Sequence, residues 1–453
     1  MWFLSGIVMM YVPFPSLTPA ERTAGLAPID WAALRGPVDP DALLQQGADG
    51  PIWLGETARS ASTGRQVAPV DAARAGTIAA DFAHLPARAV MRVEPVDRDQ
   101  WTVSGSFDRY RPLWKVTLDR PDGLILYVAS TSGMVVLDTR RSERFWNWLG
   151  SVPHWIYPTL LRQDQPLWRQ VILWTSGIAI ISAVSGMWIG ILRMRLRRRY
   201  KGGRISPYRG WQWWHHVTGL TGGTLLVAWI LSGWLSVDPN RWFASPGISA
   251  PARAAYAAAG PVPAIDGPGL ARLPRAAGTR RMRLLWTDGT PLLLLTRPQG
   301  ETILDARTLQ PAALEPGRLV RAAARLVPLA SIEEAEWLTA PDAYWYRAKG
   351  SVELPMLRVR FADRAGTWVH ISPRSGALLD DMDARRRLYR WLFDALHRWD
   401  LHGLIDRRPL WDLWMWIWLV SGTIVSVSGT ILAFGRMGLP DRKTARSIGN
   451  QHG

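Results

Sequence analysis

Cysteine is absent from the 453 residues of this chain, and histidine occurs only eight times. The missing cysteine excludes disulfides, thiolate-held iron–sulfur clusters and covalently attached c-type haem within the chain. Any metal or haem would therefore be held by histidines or carboxylates. The sequence also lacks a glycine-rich dinucleotide fingerprint, a phosphate-binding P-loop, a Ser/His/Asp motif and a zinc-protease motif. A nicotinamide- or flavin-binding domain inside the chain is excluded on this basis.

Positive charge dominates the polar residues, because 54 Lys and Arg outnumber 37 Asp and Glu for a net charge of +17. A charge of this size is typical of either a nucleic-acid or a membrane partner. The densest basic run, "RMRLRRRYKGGR" at 193–204, directly follows an apolar stretch, as at the cytoplasmic end of a membrane helix. The 27 tryptophans also favour the membrane–water interface. We therefore predict a membrane protein with large soluble parts and no nucleic-acid partner.

Three uncharged runs are long enough to cross a bilayer as helices, at 170–192, 217–237 and 413–435. The first run ends in the basic stretch, and Arg436 follows the third. Both of these ends are therefore predicted to be cytoplasmic. The middle run then leads outward, so the long polar segment after it is predicted to be extracytoplasmic.

The first residues, "MWFLSGIVMMYVPFPSLTPAER", are apolar for only about a dozen positions, too few to span a bilayer. No basic region and no small-residue cleavage site mark a signal peptide. We expect residues 1–20 to be the second half of a membrane helix whose beginning is missing from the sequence. A short interfacial anchor is the alternative.

An internal duplication organises the whole chain. Residues 112–194 align without a gap on 355–437, at a constant offset of 243, and 20 of the 83 pairs are identical. Ordinary residue frequencies predict only about five identities. The matches include His154 with His397, and "WFLSG" at 2–6 echoes "WILSG" at 229–233. The chain is therefore predicted to contain two copies of a helix–domain–helix unit, related by a pseudo-twofold axis along the membrane normal.

The soluble part of each copy has a strand–turn–strand pattern before the inward helix. It reads "PLWKVTLDRPDGLILYVASTSGMVVLDT" in the first copy and "PMLRVRFADRAGTWVHISPRSGALLDDM" in the second. The amphipathic stretches "PVDAARAGTIAADFA" and "GRLVRAAARLVP" predict an upstream helix in each copy. Residues 245–280, rich in Ala, Pro and Gly, predict a linker.

In combination these motifs resemble the PepSY-associated transmembrane family of bacterial inner-membrane proteins. The resemblance covers nearly the whole chain and rests on the "V…D…G…V…D…SG" hairpins, on "HH…GL…SG" and on "LHRWDLHGL…RPLWD". It implies an α-helical membrane protein with two periplasmic α+β (PepSY-like) domains, built as a duplicated helix–domain–helix unit. It also implies four transmembrane helices. The first of these is N-terminally truncated here, where relatives carry a further histidine.

The implied segments follow one another along the chain. They are a truncated transmembrane helix 1 at 1–20, a periplasmic PepSY-like domain at 21–165, transmembrane helix 2 at 166–193, a basic cytoplasmic loop at 194–212, transmembrane helix 3 at 213–237, a second PepSY-like domain at 238–408, transmembrane helix 4 at 409–435 and a cytoplasmic tail at 436–453.

Some relatives in this family hold b-type haem and are implicated in reducing ferric siderophores or in periplasmic electron transfer. The resemblance therefore implies one or two b-type haems and a periplasmic acceptor such as a ferric siderophore. The electron donor would be a quinol or a separate reductase, since the chain has no cofactor domain of its own. A non-enzymatic membrane protein that binds a periplasmic peptide or protease is the alternative.

Two adjacent histidines, His215 and His216, open the third apolar run. They are about 100° apart on a helix, so at most one of them readily faces a given site. Axial ligation of haem iron is the functional interpretation, because neutral imidazole is a good iron ligand. The alternative is a pair of interfacial polar groups beside the neighbouring tryptophans.

The repeat-related pair, His154 and His397, lies 14 residues before the tryptophan that opens each inward helix, near the extracytoplasmic face. A twofold axis would let these two histidines face each other across one haem. The alternative is a structural histidine that duplication preserved. With the implied haem, we predict that iron is held through His154, His397 and His215.

His402 is a further candidate ligand that breaks the symmetry, because its repeat partner is Thr159. It would replace His397 or serve a second haem. The remaining three histidines, His84, His370 and His452, have no supporting motif, and we expect them on the surface or in the tail.

Overall fold

Apolar helices and antiparallel sheets alternate along the chain. The computed structural model describes residues 1–346 and 352–437. Its helices are α1 Trp2–Tyr11, α2 Pro19–Gly25, α3 Ala72–Phe82, α4 Arg141–Leu149, α5 Ser151–His154, α6 Thr159–Arg162, α7 Gln165–Arg193, α8 Gly210–Thr221, α9 Gly223–Ser236, α10 Ala250–Ala257, α11 Gly267–Arg272, α12 Pro316–Ala323, α13 Ala384–Tyr389, α14 Leu396–Arg398 and α15 Arg408–Met437. Its strands are β1 Leu43–Gly47, β2 Gly50–Leu54, β3 Ala58–Ser60, β4 Val90–Val96, β5 Leu113–Leu118, β6 Ile125–Ala129, β7 Val135–Thr139, β8 Arg281–Thr287, β9 Thr290–Arg297, β10 Gly300–Asp305, β11 Ile332–Leu338, β12 Met356–Phe361, β13 Trp368–Ile371 and β14 Leu378–Met382.

The chain divides into two compact units. A helical unit comprises 1–13, 146–242 and the chain from 389 onward, and a strand-rich unit comprises 14–145 and 243–388. Each unit therefore draws on both sequence copies.

Two helices of the helical unit, α7 and α15, are long and apolar enough to cross a membrane, with 29 and 30 residues. The sequence predicted both. The first turn of α7 is capped by Asp164, whose carboxylate accepts a hydrogen bond from the Leu167 amide. The helix ends at Arg193, where the basic run begins. These helices are consistent with a membrane protein.

The third predicted span is not one straight helix. Helices α8 and α9 meet at Gly222 with a bend of 68°, so the pair is either a broken span or a re-entrant loop. Other segments pack closely against the two glycines at the break. A Cβ on Gly222 would lie 2.8 Å from the Ser421 hydroxyl, and a Cβ on Gly223 would lie 2.8 Å from Cγ of Met187. Neighbouring chain segments thus approach these two positions more closely than any other side chain would allow.

The duplication predicted from the sequence reappears in two four-stranded antiparallel sheets of the strand-rich unit. Their strand orders are β4-β5-β6-β7 and β11-β12-β13-β14. The register matches at the same offset, since Lys115 pairs with Tyr127 in one sheet and Arg358 pairs with His370 in the other. The predicted hairpins are confirmed. The predicted helix in 69–83 is also present, as α3, and packs its Ala75 and Ala79 onto the first of these sheets.

A third sheet joins the two copies, which the sequence did not predict. Its order is β10-β9-β8-β1-β2-β3, so three strands come from each copy. The central pair β1 and β8 is antiparallel, with Leu44 opposite Met282, and both side chains are fully buried. Burial of each such side chain contributes about 1.5–3 kcal/mol. Pairing the two strands also removes two open sheet edges.

The predicted linker at 245–280 is wrong. This segment forms α10 and α11, and five of its side chains are buried in hydrophobic cores. Ile248, Ala252 and Tyr256 pack with the sheet β11–β14, and Leu270 and Ala276 pack with the six-stranded sheet. Alanine is a strong helix former, so a composition rich in alanine is compatible with short buried helices between prolines and glycines.

Candidate functional site

His154 is held by the first helix of the helical unit. Its Nδ1 lies 3.1 Å from the Ser5 hydroxyl and 3.2 Å from the Trp2 carbonyl oxygen. A carbonyl oxygen only accepts, so Nδ1 carries the proton and Nε2 keeps its lone pair. The ring also packs on the adjacent glycine, because a Cβ on Gly6 would lie 3.7 Å from Cε1 of His154. The Trp-x-x-Ser-Gly pattern of α1 therefore fixes both the tautomer and the position of this ring.

His397 has the same environment in the second copy. Its Nδ1 lies 3.0 Å from the Ser232 hydroxyl, and its ring also bonds the Trp229 backbone. A Cβ on Gly233 would lie 3.5 Å from Cε1 of His397. In the described part of the chain, the Nε2 atoms of His154 and His397 make no hydrogen bond. Both rings thus present a lone pair with no protein partner.

The tryptophans of the duplicated Pro-Leu-Trp triplet position the segment that follows each histidine. Trp168 Nε1 donates to the Trp155 carbonyl oxygen at 3.0 Å, and Trp411 Nε1 donates to the equivalent Arg398 carbonyl oxygen at 3.1 Å. The two long helices α7 and α15 are in this way connected to the residue next to His154 and to the residue next to His397.

The two rings face each other across a short gap. The centroids of His154 and His397 are 6.0 Å apart, with an angle of 75° between the ring planes. Phe393 stacks on His397 with centroids 5.2 Å apart and restrains its orientation. Two metal–imidazole bonds of about 2 Å each, with about 1 Å from each ring centre to its nitrogen, span roughly the same distance. The pair therefore has the separation that two ligands of one iron require.

Both imidazoles are neutral near pH 7. They belong to the short helices α5 and α14, outside the two long apolar helices. Burial lowers the pKa of His397 to about 4, and the neighbouring His154 adds to the effect. Burial also lowers the pKa of His154. Neutral imidazole is the form that binds a metal.

His215 is anchored through Nδ1 in the same way, at a second position along the helical unit, which we call the second histidine level; the His154–His397 pair is the first. Its Nδ1 lies 3.1 Å from the Val425 carbonyl oxygen and 3.1 Å from the Ser428 hydroxyl. A Cβ on the next residue, Gly429, would lie 3.1 Å from Cε1 of His215. Its Nε2 makes no hydrogen bond within the described residues. The environment of His215 is therefore that of a third anchored imidazole.

The distance between the two histidine levels is smaller than the thickness of a bilayer. A Cβ on Gly6, beside His154, would lie 3.3 Å from Leu419 of α15, whereas His215 contacts Gly429 of the same helix. Ten residues separate these two contact points, which corresponds to roughly 15 Å along the helix axis. The hydrocarbon core of a bilayer is about 30 Å thick, so this separation is about half of that thickness.

His216 is engaged on both nitrogens. Its Nε2 donates to the Gly190 carbonyl oxygen at 2.8 Å, so Nδ1 accepts from the Ser206 hydroxyl at 2.9 Å. The two adjacent histidines thus face different helices, as their 100° separation predicted, and His216 has no nitrogen left for a metal. His402 lies beyond the end of α14 and is exposed, with its Nδ1 3.6 Å from a carboxylate oxygen of Asp406.

The remaining histidines are divided between surface and core. His84 is exposed, as predicted. The prediction for His370 is wrong, because this residue is fully buried in the strand-rich unit. It accepts a hydrogen bond from Arg358 Nε at 3.0 Å, and Asp342 binds the other end of that guanidinium. Beside the cation, in a low-dielectric core, its pKa falls to about 4. His452 lies outside the described residues.

A mostly apolar cavity lies between the two histidine levels. Its lining includes Phe3, Gly222, Trp229, Trp418, Gly422 and Val425. Phe3 and Trp229 belong to the segments that anchor His154 and His397, and Val425 anchors His215. The indole N–H groups of Trp229 and Trp418 are buried and make no hydrogen bond in the described part of the chain. The cavity is thus lined in part by aromatic side chains.

The sequence missed the serines that hold the histidines. Ser5, Ser232 and Ser428 each precede a glycine in an apolar segment of the chain. Their recurrence next to histidine-bearing segments in both copies was the available signal.

Comparison with known proteins adds no identification. No family model matches the chain, and no curated protein matches it. The geometry of the helical unit therefore carries the functional argument.

Proposed function

We propose that this chain is a haem-b-binding electron-transfer protein of the bacterial inner membrane, crossing it several times, with soluble domains in the periplasm. Its acceptor would be a periplasmic compound such as a ferric siderophore. One observation carries the proposal: His154 and His397, equivalent residues of the duplication, face each other at 6.0 Å with both Nδ1 atoms anchored.

The residues fit a b-type haem by donor chemistry. Without cysteine the chain has no thiolate, and two neutral imidazoles are a common axial pair for electron-transfer haem. Histidine ligands of metals usually donate their other ring nitrogen to a protein oxygen, which sets the tautomer. Ser5, Ser232 and the carbonyl groups beside them supply those oxygens. A bound haem would supply a reversible one-electron couple.

The surrounding residues supply orientation and an aromatic environment. Phe393 and the Ser-Gly backbones hold the two rings, which lowers the reorganisation needed when charge changes. Aromatic side chains such as Phe3, Trp229 and Trp418 line the neighbouring cavity. His215, anchored in the same way roughly 15 Å along α15, is the residue we assign to a second haem.

Membrane placement follows from charge. The basic run after α7 and Arg436 at the end of α15 favour the cytoplasmic side for both ends. The short histidine-bearing helices α5 and α14 precede those long helices and so lie toward the periplasm. Within the described residues no nucleotide-binding element supplies electrons, so a quinol or a separate reductase is the proposed donor.

Absorbance spectra test the proposal. The protein is expressed with haem precursor, purified in detergent, and measured oxidised and after dithionite reduction. We expect a Soret band that shifts on reduction together with sharp α and β bands of six-coordinate haem. A colourless protein that co-purifies with a periplasmic peptide or protease would overturn the proposal and favour the non-enzymatic alternative.

A further inference from the structure

A short loop closes on itself directly after α7. The Arg195 amide donates a hydrogen bond to the Ile205 carbonyl oxygen at 3.0 Å, and the Tyr200 amide donates to the Arg204 carbonyl oxygen at 2.9 Å. The second bond belongs to an isolated antiparallel bridge. We call residues 195–205 the arginine loop. Its backbone is therefore folded and is not an extended tail of the helix.

Tyr200 holds the arginine loop together from inside. Its hydroxyl donates to the Arg193 carbonyl oxygen at 2.9 Å, and the guanidinium carbon of Arg195 lies 4.4 Å from its ring centroid. Arg204 Nε donates to the Lys201 carbonyl oxygen at 3.3 Å. These contacts use backbone oxygens and an aromatic face, and none of them uses a carboxylate.

Six positive charges lie within the eleven residues of the arginine loop, which contains no Asp or Glu. Five of the six side chains are exposed, those of Arg195, Arg197, Arg198, Arg199 and Lys201. The sixth belongs to Arg204, whose Nη1 is buried without a hydrogen-bond partner among the described residues. In the part of the chain that the structure describes, none of the six forms an ion pair. Like charges at this density repel one another, so an anion bound among them is stabilising.

Large apolar side chains are exposed next to these charges. Leu196 and Ile205 lie within the arginine loop, and Trp211 and Trp214 lie in the first turns of α8. Indole rings and arginines together at the end of an apolar helix are typical of the lipid headgroup region. A free inorganic anion offers nothing that would cover the apolar side chains, whereas the acyl chains of a lipid do. This mixture of side chains therefore favours an amphipathic anion.

The end of the arginine loop is fixed to two helices through His216. Ser206, the next residue, donates from its hydroxyl to Nδ1 of His216 at 2.9 Å, and Nε2 of His216 donates to the Gly190 carbonyl oxygen of α7 at 2.8 Å. The ring of Tyr208 packs against the same imidazole with centroids 5.2 Å apart. The arginine loop is thus part of the packing that positions the start of α8, which also carries His215.

Basic clusters immediately after a membrane helix attract anionic lipids, because the headgroup phosphates supply negative charge. We propose that the arginine loop binds anionic phospholipids of the cytoplasmic leaflet through their phosphate groups, with Leu196, Trp211 and Trp214 in contact with the acyl chains. A guanidinium fork matches a phosphate with two parallel hydrogen bonds. The site requires the membrane placement proposed above but no haem, so a colourless protein would leave it standing.

Calorimetry on the purified full-length protein in a neutral detergent tests this site. The titrants are dioctanoyl phosphatidylglycerol, which is anionic, dioctanoyl phosphatidylcholine, which is zwitterionic, and inorganic phosphate. Ionic strength is held constant, and protein-free micelles give the blank. The two lipids differ in net charge but share their acyl chains, so their comparison isolates the charge of the headgroup.

Two variants change the arginine loop, and a control removes the same charge elsewhere. The single variant is Lys201→Gln. The triple variant combines Arg197→Gln, Arg198→Gln and Arg199→Gln. The control changes three exposed arginines of the strand-rich unit that form no ion pair among the described residues, and it combines Arg35→Gln, Arg88→Gln and Arg272→Gln.

We expect the wild type and the control to bind phosphatidylglycerol equally. Each basic residue near an anionic lipid surface contributes about fivefold to binding, so the single variant should bind about fivefold and the triple variant about a hundredfold more weakly. Equal affinity of the wild type for the two lipids, or unchanged phosphatidylglycerol affinity in both variants, would overturn the site. Inorganic phosphate that binds as tightly as phosphatidylglycerol would overturn the assignment to lipid. The lipid preference of the wild type and the single variant decide the question even if the triple variant fails to insert.

Nanodiscs repeat the test in a bilayer. The wild type, the triple variant and the control are reconstituted into phosphatidylglycerol or phosphatidylcholine nanodiscs, and thermal unfolding is followed by near-ultraviolet circular dichroism. A ligand that binds only the folded state raises the melting temperature. We expect a higher melting temperature in phosphatidylglycerol for the wild type and the control, and no difference between the lipids for the triple variant. An identical rise in all three proteins would place the lipid preference outside the arginine loop and contradict the proposal.

Discussion

The imidazole rings of His154 and His397 stand 6.0 Å apart, edge to face, although 243 residues separate them in the sequence. Each ring is bonded through Nδ1 to the serine of a Ser-Gly pair in the helix that precedes its own domain. The same helix-bound geometry recurs at His215. All three imidazoles are bonded through Nδ1 to a serine hydroxyl, and in the described part of the chain their Nε2 atoms make no hydrogen bond.

Replacement of either paired histidine should remove haem from the site near α5 and α14. We expect His154→Gln or His397→Gln to lose the corresponding six-coordinate haem signal, because one axial ligand is missing. Haem content by pyridine haemochrome and the absorbance spectrum measure this. His402→Gln is the matched control, since His402 is exposed and should leave both readouts unchanged. Wild-type haem content in His154→Gln would refute the ligand assignment.

Loss of the serine anchors should weaken haem binding without abolishing it. Ser5→Ala or Ser232→Ala leaves the backbone carbonyl but removes the hydroxyl next to Nδ1, and such outer partners are worth about tenfold or more in affinity. The rate of haem transfer to apomyoglobin reports the change. Ser185→Ala is the control, because Ser185 also precedes a glycine but is exposed and bonds only Ser182. Identical transfer rates in all variants would argue against an anchoring role.

A single methyl group at Gly429 should separate His215 from α15. A Cβ on Gly429 would lie 3.1 Å from Cε1 of His215, whereas the repeat-equivalent Gly186 has no neighbour within 4 Å. We expect Gly429→Ala to destabilise the helical unit by about 1–3 kcal/mol through overpacking, and Gly186→Ala to have little effect. Thermal unfolding in detergent compares the two. Equal melting temperatures would contradict the close packing at Gly429.

The buried His370 should make the strand-rich unit sensitive to acid. Its pKa is lowered by burial, and by Arg358, from 6.5 to about 4, so its contribution to stability is present above pH 6.5 and lost as the pH falls to about 4. The loss amounts to at most about 3 kcal/mol. His370→Gln keeps an acceptor for Arg358 Nε but does not titrate. We therefore expect the variant to lose less stability than the wild type over that interval.

The comparison with His370→Gln also removes an opposing effect. Burial raises the pKa of Asp138 to about 6, which stabilises the fold at low pH rather than at high pH. Asp138 is unchanged in the variant, so the difference between the two unfolding curves isolates His370. Parallel curves between pH 6.5 and 4 would show that His370 titrates normally.

Local features of the chain could be predicted from the sequence because they depend on short stretches of it. Apolar runs without charge predicted α7 and α15, and alternation around Gly-containing turns predicted the two sets of hairpins. The constant offset of 243 predicted that His154 and His397 are equivalent, and the structure adds that they face each other. Composition misled at 245–280, because small residues in a buried helix resemble those of a linker.

Features that depend on distant segments were decided only in the folded chain. Ser421 and Met187 approach the glycines at the bend, and the pairing of β1 with β8 joins strands about 240 residues apart. The amino-acid sequence alone determined that the chain is duplicated, apolar enough for a membrane and dependent on histidines or carboxylates for any metal. Tertiary structure decided which serines hold which histidines, and that His370 is buried. The reason is physical: hydrogen bonds and close packing between distant segments leave no periodic trace in either segment.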